Sequence, residues 1–315
     1  MNSLKYISRI LRSASESVSF VYKCRDYTQN NFIRRMLKLI ALPYGLMKYF
    51  HTGKSNLKRE GLAFVLSAKN EAQYIEEWIN FHAKQGVSHF LIYNDSSSTD
   101  NLHDVLKEYI DAGLVTYHVI GGGLARQEDI YNMAVAKYKK RFKYMGFIDA
   151  DEFVFLRKTS AGENGNLCKF LDDFMSEYPN AGGIGVNWLI FGSSGHEKKP
   201  EGGVLKNFVM CAEKDFGPNH LIKTICDPMK VLGICNPHFA VYRRGFYNLN
   251  ENGEVIENSF AQNVSFEKIR INHYYSKSKE EFILRRANGR FEGAMEGFYH
   301  HDQNVLKDTE ILERI

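Results

Sequence analysis

The sequence predicts an α/β fold: a Rossmann-like, mostly parallel sheet flanked by helices, followed by a mixed region. Two observations predict it. Short apolar runs alternate with segments of helical spacing between Gly61 and Ile148, and three of those runs stop abruptly in polar clusters. Alternating strands and helices imply βαβ units, whose parallel sheet is covered on both faces. Ligands of such sheets bind beyond the carboxyl ends of the strands. The chemistry is therefore expected at Lys69–Glu71, Asn94–Asp100 and Asp149–Glu152.

In order along the chain, Gly61–Ala68 (GLAFVLSA) reads as the first strand. Glu71–Lys84 follows with Ile75, Trp78, Ile79, Phe81 and His82 on one helical face, and Gly86 stops it. His89–Tyr93 is the second strand and leads into the loop NDSSSTD. Leu102, Val105, Leu106, Tyr109 and Ile110 form a second helical stripe closed by Gly113. Leu114–Ile120, Gln127–Tyr138 and Tyr144–Ile148 are the third strand, third helix and fourth strand. Farther on, Gly183–Phe191, Phe239–Tyr242 and Lys268–Asn272 have strand character. Lys279–Arg290 is expected to be helical, with Ser278 as N-cap and Gly289 at its end.

A chain of 315 residues, 44% hydrophobic and 13% aromatic, suffices for one large α/β domain or two modest ones. Its five cysteines are scattered without a C-x-x-C pair, which argues against a disulfide framework or a zinc site and favours a reducing compartment. The first twenty residues lack the uninterrupted apolar core of a secretory signal. The net charge of +4 is uneven: residues 1–60 carry twelve Lys/Arg against three Asp/Glu, or +9, leaving −5 for the rest. The longest uncharged run in that leader, Leu39–Met47, is far short of the roughly 20 residues that span a bilayer, and Pro43 interrupts it. A basic amphipathic segment can lie on an anionic membrane surface; it can equally pack on the domain with its charges in water. The expected division is a leader over 1–58, a domain over 59–290 and a tail over 291–315. A nucleic-acid role has little support, because the positive charge concentrates in an amphipathic leader and not in an aromatic-interleaved patch.

Gly146–Phe155 (GFIDADEFVF) is the most pointed signal. Carboxylates at the end of a buried strand demand a positive partner. Asp149 and Asp151, two positions apart, can converge on a hard divalent cation, Mn²⁺ or Mg²⁺. The structural alternative is a capped turn or ion pairs with Lys143 or Arg157, with Glu152 in a supporting place. In NDSSSTD the serines read as turn residues, Thr99 or Asp100 as a helix cap, and Asp95 as a ligand for a base or ribose. In INHYYSKSKEEF, His273 can complete a metal shell while Lys277 and Lys279 offset a diphosphate. Arg285, Arg286 and Arg290 either extend that field or form a solvated helix face, and the solvated face is preferred.

Four separated motifs, FVLSAKNEAQYIEEWINFHAKQGVSHFLIYNDSSSTD, GFIDADEFVF, VNWLIFGSSGH and INHYYSKSKEEF, together resemble glycosyltransferase family 92 and its bacterial family-2-like relatives. The resemblance leaves the leader outside. It implies a GT-A fold with an acceptor-side region after the D-x-D, and metal-dependent, inverting transfer of a hexose, commonly galactose, from a UDP-sugar. Carried onto this chain, Asp149 and Asp151 flank ribose and metal, with Asp151 the more direct ligand. His273 binds the metal or the diphosphate, and Lys277 adds charge there. Lys69, Asn70, Glu71 and Asp95 bound the uracil and ribose. Trp188 and the loop Phe191–His196 line the sugar and acceptor side, unless Trp188 is simply core. The general base is open among Glu197, Glu213, Asp215, Asp227, His196 and His238, with Asp215 the first choice. The implied acceptor is a glycan or lipid-linked saccharide, as in lipopolysaccharide or capsule synthesis. The implied setting is cytoplasmic and peripheral on the inner face of a bacterial membrane. The alternatives are a non-catalytic nucleotide-sugar or glycan-binding protein and, with a poorer motif match, a phosphatase of the haloacid-dehalogenase type.

Overall fold

The computed structural model describes residues 31–50, 58–121, 126–158, 165–287 and 294–315. Expectations about residues 1–30 and 51–57, Gly289 and Arg290 lie outside them. The chain opens with helix α1 (Asn31–Phe50). It continues through β1 (Leu62–Ala68), α2 (Ile75–Lys84), β2 (His89–Asp95), the short α3 (Leu102–Val105) and α4 (Lys107–Asp111), β3 (Val115–Ile120), α5 (Gln127–Tyr138) and β4 (Tyr144–Phe147). Then come β5 (Glu152–Leu156), α6 (Leu167–Glu177), β6 (Ala181–Ile190), α7 (Val204–Asn207), β7 (Met210–Cys211), β8 (Ile222–Cys226), β9 (Val231–Asn236), β10 (Phe239–Tyr242) and β11 (Tyr247–Leu249). The last elements are β12 (Ile269–His273), α8 (Lys279–Ala287), α9 (Ala294–His301) and β13 (Leu306–Lys307).

The principal sheet runs β3-β2-β1-β4-β8-β6-β12-β5, with β11 added to β6. β1 to β4 are parallel, as the βαβ series predicts. β8 then inserts antiparallel to both β4 and β6, β12 is parallel to β6, and β5 is antiparallel to β12. A parallel half thus continues into a mixed half in one sheet, which is the GT-A arrangement that the family resemblance implies. Trp78, Phe64, Phe90, Phe153 and Phe155 are buried in one large core between the sheet and α2. Gly146 is required on β4, because a Cβ there would lie 2.7 Å from the Phe64 ring.

Two local expectations need correction. The second helical stripe is not one helix: it breaks at Leu106 into α3 and α4. Neither Thr99 nor Asp100 caps it. The Asp100 carboxylate accepts the Ala72 backbone N–H at 2.7 Å, and the Thr99 N–H donates to the Asn70 side chain at 2.7 Å. These bonds tie the loop after β1 to the loop after β2. They also explain why α2 starts only at Ile75: Asn70 adopts a left-handed φ of 57°, which an Asn tolerates, and the turn at residues 72–74 intervenes. Ser278 does begin α8 as expected, its hydroxyl donating to Glu281 at 2.6 Å in a capping box. Residues 294–315 pack on the domain, with β13 pairing β7 and Ile311 buried.

Candidate active site

The apolar run Tyr144–Ile148 stops on acids because the sheet brings a cation to meet them. β8 is offset past the end of β4, with Met145 opposite Cys226 and Gly146 opposite Ile225. Lys223, three residues earlier on β8, therefore lies beyond β4, fully buried. Its Nζ is 2.6 Å from Asp149 Oδ2 and 3.5 Å from Glu152 Oε2. This is the positive partner. The two cations proposed for it lie elsewhere: Lys143 pairs with Asp172 at 2.6 Å and Arg157 with Glu310 at 2.8 Å.

Asp149 is engaged on both oxygens. Oδ1 accepts from Gln127 Nε2 at 2.6 Å and from the Tyr131 hydroxyl at 3.2 Å. Gln127 and Tyr131 stand four residues apart on the first turns of α5, hence on one face. Glu152 is wholly buried and accepts the Asp149 N–H on Oε2 at 2.9 Å, while its Oε1 has no partner. Burial, opposed by Lys223 and reinforced by Asp149 and Asp151, holds the Glu152 pKa well above the carboxylate range. Lys223, against its own burial, is kept protonated chiefly by Asp149. Lys223 therefore lies nearer to Asp149, and the more distant Glu152 is the carboxyl that burial pushes toward its protonated form.

The apolar run resumes as β5 because β12 covers it on one side and α2 on the other. The Trp78 indole N–H donates to the Glu152 carbonyl at 2.8 Å, and the Val154 N–H donates to His82 Nε2 at 2.9 Å. Burial lowers the His82 pKa to about 3, so the ring is neutral and accepts that bond. β12 places His273 opposite Glu152, and the Tyr274 N–H donates to the Asp151 carbonyl at 2.8 Å. His273 Nε2 comes within 3.5 Å of Asp151 Oδ1, and Arg285 Nη1 within 2.8 Å of Asp151 Oδ2. Arg285 is therefore no member of a solvated face: it also donates to the Tyr275 carbonyl at 2.6 Å. Burial works against the Asp151 charge, yet His273, then Arg285 and Lys277, depress its pKa below the usual range.

Whether these groups suit a divalent ion follows from their spacing. Two ligands of one octahedral ion with bonds near 2.1 Å lie about 3 Å apart. The Asp151–His273 separation of 3.5 Å approaches that, and among the described residues the buried Nδ1 of the His273 ring has no hydrogen-bond partner. Among the described residues no cluster of three or more His, Cys, Asp or Glu is arranged around a common point. The site therefore fits an ion held by two protein groups, its remaining positions left to oxygen ligands from outside the chain. Asp149, expected as a third ligand, is instead turned to Lys223, Gln127 and Tyr131.

Next to Asp151 opens a cavity of about 450 Å³ between the loop after β1 and the segment leading into α8. Lys69, Asn70 and Glu71 line it on one side, and Lys277, Lys199 and Arg285 on the other. Burial pushes the Glu71 pKa up to about 7, against the pull of Lys277 and with the help of Asp151 and Asp149. Lys277 takes a left-handed φ of 49° and lies over the Tyr74 ring at 5.1 Å. Asp95 closes its own turn, Oδ1 accepting the Ser97 N–H at 2.8 Å. Trp188 is buried and packs on His273 at 4.2 Å and on His238 at 5.1 Å between ring centroids, making it a wall of the site from within the core.

The base candidates disperse. Asp227 lies at the opposite end of the sheet, 2.7 Å from Arg59. Glu197 is exposed and pairs with Lys279 at 3.2 Å. The His196 ring meets Phe208 at 5.7 Å, and the Glu213 carbonyl accepts from Asn219 at 2.9 Å. His238 borders Lys223 and Trp188, and burial, then Lys223, lowers its pKa to about 4. Asp215 is exposed in the turn before a 3₁₀ helix over Gly217–His220, and its neighbour Phe216 packs on the α9 rings of His300 and His301. Gln127, Tyr131 and Lys223 were not anticipated from the sequence. The one available signal for Lys223 was a lysine inside the short buried strand IKTIC (Ile222–Cys226).

Acids and cations thus converge beside a cavity at the carboxyl ends of the parallel strands. The sequence profile of glycosyltransferase family 92 matches residues 65–285, and the chain belongs to that family. It is similar to the glycosyltransferase family 92 protein Os08g0121900 of Oryza sativa subsp. japonica, 26% identical over 55% of this chain and 28% of that protein. It is also similar to the galactan beta-1,4-galactosyltransferase GALS2 of Arabidopsis thaliana, 32% identical over 28% of this chain and 19% of that protein. The chain thus spans less than a third of the length of these plant relatives, and they lend no support to a bacterial inner-membrane setting. Among solved structures it is similar to S. aureus TarS 1-349 in complex with UDP, at 14% identity and a TM-score of 0.35, over 54% of this chain and 47% of that one.

Proposed function

We propose that this chain is a metal-dependent hexosyltransferase that moves galactose from a UDP-sugar to a saccharide acceptor with inversion. The observation that carries the reading is the Asp151–His273 pair, 3.5 Å apart, beside a cavity lined by Lys277 and Arg285. When bound there, Mn²⁺ or Mg²⁺ supplies positive charge against a diphosphate leaving group. The residues' own work is separable from that. Lys277 and Arg285 present cations to the diphosphate, and Lys69, Asn70, Glu71 and Asp95 bound the nucleoside. Lys223, Gln127 and Tyr131 hold Asp149 in a fixed orientation at the ribose end. Asp215 takes the acceptor proton as general base, which requires it within hydrogen-bond reach of the acceptor hydroxyl. The acceptor class is a glycan or a lipid-linked saccharide.

The test is release of UDP by the purified chain from a panel of nucleotide sugars with Mn²⁺, and the loss of that release in Asp151→Ala. Turnover of UDP-galactose that survives Asp151→Ala would overturn the assignment of the metal site. Absence of release from every donor, with UDP still bound, would favour a non-catalytic nucleotide-sugar-binding protein. Asp215→Asn should lower transfer at least about 100-fold without weakening UDP binding; unchanged transfer would remove Asp215 as the base.

A further inference from the structure

Helix α1 carries two apolar stripes where a surface helix ordinarily needs one. The inner stripe is short: Ala41 and Gly45 are buried, and Leu42 and Tyr49 pack on Leu232, Phe239 and Val241 of β9 and β10. The outer stripe, Met36, Leu39, Ile40, Met47 and Phe50, follows helical spacing and is 44% to 65% exposed. An apolar face of this extent on a protein surface marks an interaction site.

Cations gather where the helix ends. Lys48 of α1, Lys139 and Lys140 after α5, and Arg243 and Arg244 after β10 come from three separate segments. The Arg244 N–H donates to the Tyr49 carbonyl at 3.1 Å, and its guanidinium lies 5.7 Å from the Phe50 ring centroid. Burial, then Lys139 and Arg243, push the Lys48 pKa down to about 8. Burial, then Arg243 and Lys140, lower that of Lys139. The acids at this cluster are Asp227, which faces Arg243 and pairs with Arg59 at 2.7 Å, and Glu257, which lines the same groove as Arg243 and Arg244. The like charges crowd in a chain whose residues beyond 60 are net acidic.

We propose that the outer stripe of α1 and this cationic cluster form one docking face for an anionic lipid bilayer. The stripe lies at the headgroup–acyl boundary and the cluster meets lipid phosphates. Among the described residues no helix is long and apolar enough to cross a membrane, so the contact lies along the surface. Charge complementarity selects the occupant: a second copy would bring a like-charged cluster to the same face. The inference is independent of the transfer reaction.

The experiment is co-sedimentation of the full chain with phosphatidylcholine vesicles, with and without phosphatidylglycerol. Binding should require the anionic lipid and weaken with salt. Leu39→Ser/Ile40→Ser/Met47→Ser and Lys139→Gln/Arg243→Gln/Arg244→Gln should each lower it at least about tenfold, with circular dichroism and UDP release unchanged. Equal binding to neutral vesicles, or anionic binding that survives the cationic variant, would overturn the proposal. So would a stripe variant that converts a dimer to a monomer while vesicle binding is absent from the parent chain.

Discussion

The two ends of the central sheet handle charge in opposite ways. At the carboxyl ends of the parallel strands, each acid faces a cation delivered from a distant segment: Asp149 has Lys223, and Asp151 has Arg285. At the other end, Lys48, Lys139 and Arg243 crowd one another beside an exposed apolar helix. The first end matches its acids with cations from within the fold at 2.6 to 2.8 Å. The second gathers like charges from three segments beside an apolar helix face that is open to solvent. Buried charge has to be matched within the fold, because solvent cannot screen it.

That contrast breaks most sharply at Lys223. Lys223→Met should destabilise the chain by about 3–5 kcal/mol and abolish transfer, because Asp149 loses its partner at 2.6 Å beside buried Glu152. Urea unfolding measures it, and Lys223→Met with Asp149→Asn should lose less than the sum of the two. A loss below about 1 kcal/mol would mean that the pair behaves like a surface contact, and the comparison would fail.

A smaller effect of opposite sign is expected at Glu71. Its native pKa of about 7 is raised above the unfolded value. Its charged form therefore lowers stability progressively as pH rises from about 4.3 through the native value, and the full penalty is present above it. Glu71→Gln should stabilise the fold by about 1–2 kcal/mol near pH 8 and by almost nothing near pH 4. Thermal unfolding at the two pH values reads the difference, and a gain independent of pH would rule out titration as its source.

Arg285→Ala should destabilise by up to about 1 kcal/mol near neutrality, the guanidinium being partly exposed. Asp151 has a depressed native pKa, so its contribution is present above the unfolded value near 3.9 and is lost as pH falls through the native one. The deficit of Arg285→Ala should shrink on acidification. The smallest effect belongs to the cationic end: Lys139→Gln should raise stability by about 0.3 kcal/mol while weakening vesicle binding. A loss of stability there would show that packing of the Lys139 stem outweighs repulsion.

The parallel half was legible because its signals are local. Strand β10 and helix α5 have the bounds that periodicity predicts, and β1 to β4 differ from expectation by one or two residues. The acids of the site were legible for the same reason, since an apolar strand ending in Asp149 and Asp151 needs no partner to be noticed. Their partners were not. Lys223 stands 74 residues from Asp149, and its place depends on the register of an antiparallel insertion between β4 and β6. Arg285 stands 134 residues from Asp151, and its charge alone could not distinguish a ligand from a solvated face.

By itself, then, the order of residues determined the βαβ series, the stop of β4 on carboxylates and the cationic, apolar character of the leader, each a matter of spacing within a few turns. Tertiary structure alone decided which cation neutralises which acid, that Asp149 and Asp151 are held by different partners, and which stripe of α1 faces outward. Those outcomes depend on strand register and packing between segments far apart in sequence, and neither is encoded in any single window of the chain.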